Sequence, residues 1–232
     1  MEGTLGTRRI SAERSTPLEA ELAAMYDEAA ERWHDRLALL GYPRAYKDLF
    51  DRLLADGALS SLREGGRVLD CGIGTGAFSL ALAGKVAAPV RIEGVDISPS
   101  VLLRACLDLD RACIEARLHL HDVKDLPFED AAFEAVIGAH VLERLLDPFA
   151  GLSEMARVLK PGGSLVIVVI DRSMPDRLLR VKWCHECIEL ERLVFWTDEA
   201  GLTGVRAYPL LAGGSLPRRM SVVYVGFKRE GS

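Results

Sequence analysis

The sequence predicts an α/β fold: a doubly wound, mostly parallel seven-stranded sheet with a C-terminal antiparallel hairpin and an N-terminal helical cap. Three observations carry that prediction. From Arg67 onward, short apolar strand patterns alternate with helical ones, as in stacked βαβ units. A turn with three glycines joins the first of these strands to its helix. The last two strand patterns are joined by a loop with no helix between them, so they pair antiparallel.

In chain order, residues 1–16 are polar and aperiodic and read as a disordered tail. Residues 17–64 form the cap. Leu22, Met25, Tyr26 and Ala29 recur at helix spacing, Gly41-Tyr42-Pro43 interrupts, and Tyr46, Leu49, Phe50, Leu53 and Leu54 make a second apolar stripe. A segment of that size buries too little core to stand alone. Residues 65–230 form the main domain. Val68–Cys71, Arg91–Ile97, Arg117–His121, Ala132–Ala139 and Leu165–Ile170 are strands. The last of them, LVIVVI, is apolar throughout, as a strand covered on both faces must be. Ala77–Val86 is helical, Ser98 caps a helix running to about Cys113, and Pro148–Leu159 is a helix stopped by Lys160-Pro161-Gly162-Gly163. Asp176–Gly201 reads as a broken helix, followed by the hairpin of Val205–Leu211 and Met220–Lys228.

Composition narrows the function. The chain has 232 residues, 49% hydrophobic and 27% charged, which excludes a mainly disordered protein. The net charge of −5 argues against nucleic acid as a partner, because phosphate binding wants a basic face. The Arg218-Arg219 pair is too small a patch to change that. No apolar run approaches the roughly 20 residues of a membrane span, and the N-terminus lacks the apolar core of a secretion signal. Five cysteines, mostly in apolar stretches, predict a reducing, cytoplasmic setting.

The sharpest motif is Asp70-Cys71-Gly72-Ile73-Gly74-Thr75-Gly76. Glycines suit a turn with positive φ or a backbone pressed against a ligand, and the helix behind them offers free N–H groups. A ligand over this turn, at the carboxyl edge of the sheet, is the expectation. Gly72, Gly74 and Ala77 also satisfy the G-x-G-x-x-A dinucleotide pattern, which keeps a nicotinamide-dependent oxidoreductase as an alternative. A non-catalytic binding module is a second alternative. Asp70 tilts the choice, since a carboxylate there suits a cationic ligand and not a pyrophosphate. The C-terminal hairpin is also foreign to the plain dinucleotide fold.

Four blocks in order, VLDCGIGTG, EGVDIS, HDVKDLPFEDAAFEAVIGAHVLERLLDP and ARVLKPGGSLVIV, resemble class I S-adenosylmethionine-dependent methyltransferases, which are Rossmann-like. The likeness is strongest to the small-molecule branch typified by quinone-biosynthesis C-methyltransferases. The resemblance implies methyl transfer from S-adenosylmethionine to a small-molecule acceptor at an O, N, S or C atom. It implies that Gly72, Gly74 and Gly76 pack on the methionine moiety and that Asp70 holds its ammonium. Asp96 would take the ribose hydroxyls, Ile97 the adenine face, and Asp122 the adenine amino group with Val123 alongside. Ala139 and His140 would face the sulfonium. The family often has His where Arg144 stands, on the acceptor side.

In-line methyl transfer needs mainly positioning and exclusion of water, with a base only when the acceptor must lose a proton. His140 is the candidate base, although lining the pocket or hydrogen-bonding loop backbone accounts for it somewhat better. His119 and His121 share one strand face and read as partly buried, hydrogen-bonded residues. Tyr26, Trp33, His34, Tyr42 and Tyr46 form a candidate lid whose aromatic faces suit a sulfonium, with Trp183 and Trp196 as the opposite wall. Cys184 and Cys187 lie in a helical pattern with no second cysteine pair, so packing outweighs a metal site; no metal is expected.

Overall fold

The structure, a computed structural model, describes residues 11–12, 38–170, 188–212 and 218–230. Its strands are β1 (Ser11–Ala12), β2 (Arg67–Cys71), β3 (Arg91–Asp96), β4 (Ala116–Leu120), β5 (Phe133–Ala139), β6 (Leu159–Ile170), β7 (Leu202–Ala212) and β8 (Arg218–Lys228). The helices are α1 (Tyr42–Ala55), α2 (Ala77–Ala83), α3 (Pro99–Arg111), α4 (Pro148–Val158) and α5 (Leu190–Glu199), with a 3₁₀ turn over Leu142–Arg144.

One sheet runs in the order β1-β4-β3-β2-β5-β6-β8-β7. The pairs from β4 to β6 are parallel, and β8 lies antiparallel between β6 and β7. The seven predicted strands and their hairpin are therefore present. The order reverses at β2, where the chain moves outward to β3 and β4 and then returns to β5 on the other side. That switch opens a crevice at the carboxyl ends of β2 and β5.

Alternation along the strands sends side chains to two cores. Val68, Ile92, Ala135, Ile137, Val166 and Val168 pack under α1, α2 and α3. Leu69, Val95, Val136, Leu165 and Ile167 pack under α4 and α5. The N-terminal stripe is part of the first core: Leu49, Phe50 and Leu53 are fully buried in it. Ser98 caps α3 by accepting from the Val101 amide at 3.3 Å, as predicted, and Asp147 caps α4 in the same way through Ala150.

Four expectations shift. Ser11–Ala12, inside the predicted disordered tail, pairs parallel with His119–Leu120. An open sheet edge offers unpaired backbone groups that need no side-chain pattern to recruit a strand. α2 ends at Ala83, three residues short of the predicted Val86, at Gly84. β6 begins at Leu159 and passes through Lys160-Pro161-Gly162-Gly163, which stop α4 but do not form a separate loop. The pairing with β5 shifts register there, so the extra residues are taken up as an irregularity in the strand. Of the predicted helix Asp176–Gly201, Leu190–Glu199 is helical and residues 176–187 lie outside the described residues. Among the described residues, no helix is long and apolar enough to cross a membrane.

Candidate active site

The crevice is floored by the loop after β2. Gly72, Gly74 and Gly76 all have positive φ, at 64°, 56° and 83°. They serve different ends. A Cβ on Gly72 would lie 2.6 Å from Val141, so this glycine lets the β5 corner close on the loop. A Cβ on Gly74 would meet nothing nearer than the Gly72 carbonyl at 3.9 Å and would project into open space. Gly76 is the N-cap of α2.

Two carboxylates stand behind the loop. Asp96, ending β3, accepts the Gly74 amide on Oδ2 at 3.0 Å and the Ser98 amide on Oδ1 at 3.1 Å. It thus fixes both the glycine loop and the start of α3. Burial raises its carboxyl above the ordinary value, and those amides together with the Arg144 charge pull it back. Asp70 is 1% exposed and accepts the Ser79 hydroxyl on Oδ2 at 2.6 Å. Its Oδ1 is buried with no hydrogen-bond partner among the described residues. Burial lifts Asp70 to about 7, against the Ser79 hydrogen bond and reinforced by the Asp96 charge. A buried carboxylate oxygen with no donor is costly, and it marks a place for a ligand's cationic or N–H group.

The β5 corner forms the other wall. Ala139 pairs with Val168, and His140 follows with φ 59° while its amide donates to the Val168 carbonyl at 2.8 Å. A non-glycine residue in that region is held by its surroundings, a form of strain that concentrates at functional sites. His140 Nδ1 lies 3.1 Å from Glu143 Oε1. The Tyr42 ring meets the imidazole edge-on at 5.3 Å, and the Tyr42 hydroxyl lies 2.9 Å from Ser221 Oγ. Tyr46 packs edge-on against Tyr42 at 5.6 Å and against Phe78 at 4.8 Å. Burial pushes Tyr42 up to about 12 and Tyr46 well above its ordinary value, so both hydroxyls stay protonated.

The structure brings together Asp70, Gly72, Gly74, Gly76, Asp96, Ala139, His140, Tyr42 and Tyr46. Ile97 is half-buried next to Asp96. Asp122 accepts the Lys124 amide at 2.9 Å and pairs with its ammonium at 3.2 Å. Val123 is the exception: its side chain is buried in the core beneath α4, leaving only its backbone for a ligand. Trp196 is not a pocket wall, because it packs on Phe149 between α4 and α5. His119 bonds Glu93 at 2.7 Å, which fits its reading as a packed residue. Tyr26, Trp33, His34, Trp183, Cys184 and Cys187 lie outside the described residues, as do the side chains of Arg218 and Arg219. Sequence reasoning missed Glu143, Ser79 and Ser221; only Glu143 left a signal, three residues past His140 on a predicted strand end.

Comparison with known proteins matches residues 69–167, the stretch from β2 to β6, to a methyltransferase domain model. An O-methyltransferase of Penicillium expansum, cnsE, is 30% identical over 75% of this chain and 67% of its own. A ubiquinone biosynthesis O-methyltransferase of Xylella fastidiosa is 30% identical over 69% of this chain and 72% of its own. The chain belongs to the class I S-adenosylmethionine-dependent methyltransferases. A ubiquinone/menaquinone biosynthesis C-methyltransferase, UbiE, of Citrifermentans bemidjiense is 32% identical over 63% of this chain. The match spans only 62% of the length of that relative. Among solved structures, the [4+2]-cyclase SpnF has the same fold, with a TM-score of 0.72 at 20% identity over 92% of this chain and 97% of its own.

The cofactor of this family is S-adenosylmethionine, and the residues present fit it. The orphaned Asp70 oxygen answers its ammonium, the space over Gly74 leaves room for its chain, and Asp96 keeps lone pairs for a diol beyond the two amides.

Proposed function

We propose that this methyltransferase transfers a methyl group from S-adenosylmethionine to a small-molecule acceptor, releasing S-adenosylhomocysteine. The observation that carries the reading is the buried, unpartnered oxygen of Asp70 beside a glycine loop whose central residue faces open space. A dinucleotide pyrophosphate over this loop would meet the carboxylate of Asp70, which disfavours an oxidoreductase.

In this reading Asp70 holds the ammonium, and the backbone of Gly72, Gly74 and Gly76 backs the methionine moiety. Asp96 takes the ribose hydroxyls with the lone pairs that Gly74 and Ser98 leave, Ile97 lies on the adenine face, and Asp122 accepts the adenine amino group. When bound, the cofactor supplies a sulfonium-activated methyl group with a good leaving group. The chain's own work is to position the acceptor, keep water out and, where needed, hold a proton. Ala139, His140, Tyr42 and Tyr46 form the acceptor wall, and residues 17–64, with Tyr26 and Trp33, act as the lid. Burial of Tyr42 and Tyr46 on the inward face of α1 supports a small acceptor, not a macromolecule. The acidic chain supports a partner other than nucleic acid, and the free thiols of Cys71, Cys106 and Cys113 support a reducing, cytoplasmic setting.

The test is incubation of the full chain with methyl-labelled cofactor and fractionated metabolite extracts. The reading expects one labelled small molecule and stoichiometric S-adenosylhomocysteine. Label found only in protein or RNA would overturn the acceptor class.

A further inference from the structure

We propose that Glu143 is a positioning residue that holds the His140 imidazole as its Nδ1–H tautomer, leaving the Nε2 lone pair to take a proton from the acceptor. The inference rests on the methyl-transfer reading and adds to it a tautomer and a partner.

The assignment follows from which groups can donate. Glu143 is 2% exposed, and its Oε1 receives two neighbours: the Ile170 amide at 3.3 Å and His140 Nδ1 at 3.1 Å. The Ile170 amide can only donate, so Oε1 is an acceptor. Nδ1 must therefore carry the hydrogen, and in the neutral ring Nε2 carries the lone pair. The carboxylate is fixed from β6 through the Ile170 amide, and the His140 backbone, though not its ring, is tied to β6 through the Val168 carbonyl. The Tyr42 ring, anchored to Ser221 of β8, closes the other side. The ring is thus held between Glu143 of the 3₁₀ turn and Tyr42 of α1, and the neighbouring Val141 lies against the glycine loop at the position of Gly72. That puts a tautomer-locked imidazole at the corner where β5 meets the loop.

The proton step balances without a further reactant. The acceptor's X–H bond breaks, its electron pair stays on X, and a new N–H bond forms at Nε2. The Nδ1–H donated to Glu143 Oε1 stabilises the resulting imidazolium.

The experiment is ¹⁵N spectroscopy of the histidine side chains in the full chain, with His140 assigned by its loss in His140→Asn. Alongside it run Glu143→Gln and Glu143→Ala, each checked for S-adenosylhomocysteine affinity. In the parent, His140 is expected with its hydrogen on Nδ1. Gln retains an acceptor oxygen, so Glu143→Gln keeps that tautomer. Glu143→Ala removes the acceptor, so the Nε2–H form appears, and with an identified acceptor kcat falls at least tenfold while KM stays within about twofold. Hydrogen on Nε2 in the parent, or an unchanged tautomer in Glu143→Ala, overturns the proposal. Should the Ala variant not fold, the parent and Gln spectra still decide it. Failure of the parent to bind S-adenosylhomocysteine would instead overturn the methyltransferase reading, so the two failures are distinct.

Discussion

Asp70→Asn should make this protein more stable and a poorer binder at once. The Asp70 carboxyl titrates near about 7 in the folded chain, mainly because it is buried, against 3.8 when exposed. Between those two values the folded protein holds a proton that the unfolded chain has released. Stability contributed by this group therefore falls as pH rises from about 4 to 7 and is level above that. A shift of that size is worth roughly 4 kcal/mol at pH 8. Asn can still accept from Ser79 and carries no charge, so the variant escapes the penalty. Urea unfolding at pH 5 and pH 8 should show a stability gain that widens by roughly 3 kcal/mol between the two. Asp96 is common to both proteins and largely cancels. Binding moves the other way. Calorimetry should show S-adenosylhomocysteine affinity at least tenfold lower in the variant. In the parent, affinity should fall as pH drops below 7, approaching tenfold per unit, because Asp70 must ionise to meet the ammonium. A variant no more stable than the parent at pH 8, with unchanged affinity, would refute the assignment of Asp70.

Three further outcomes are expected. Asp96→Ala removes two hydrogen bonds to the ribose, each worth roughly 1.5–3 kcal/mol, and also frees the Gly74 amide; titration should show at least a tenfold loss of S-adenosylhomocysteine affinity with the circular dichroism spectrum retained. Gly74→Val places a side chain in the open space over the loop at φ 56°, costing roughly 1–2 kcal/mol of stability and abolishing binding; normal binding would make the loop a plain turn. His140→Asn, chosen because Asn tolerates the left-handed backbone there, should lower turnover by about 10²–10⁴-fold with S-adenosylhomocysteine affinity retained. A loss below about tenfold would remove His140 from the chemistry.

The order of elements was legible because each strand and helix announces itself through local periodicity, and the hairpin through the missing helix. The glycine loop was legible because only glycine suits the backbone of Gly72 and Gly74. What escaped depends on contacts distant in sequence. Nothing near Asp96 says that its carboxylate would be divided between the Gly74 and Ser98 amides. The bond from Ile170 to Glu143 exists only once β6 lies beside β5. Val123 stands beside Asp122 in the motif, but the turn after β4 sends its side chain into the core under α4. The tracing of Lys160–Gly163 as strand shows a tertiary pairing with β5 overriding turn-forming residues.

A relative in fold alone is a [4+2]-cyclase, so the fold does not dictate methyl transfer and the ligand must. The most direct measurement is calorimetric titration of the full chain with S-adenosylhomocysteine and, separately, with NADH. The account predicts one S-adenosylhomocysteine bound per chain, with proton release near pH 7 as Asp70 ionises, and no NADH binding. NADH binding at the glycine loop, or no heat with S-adenosylhomocysteine, would contradict it.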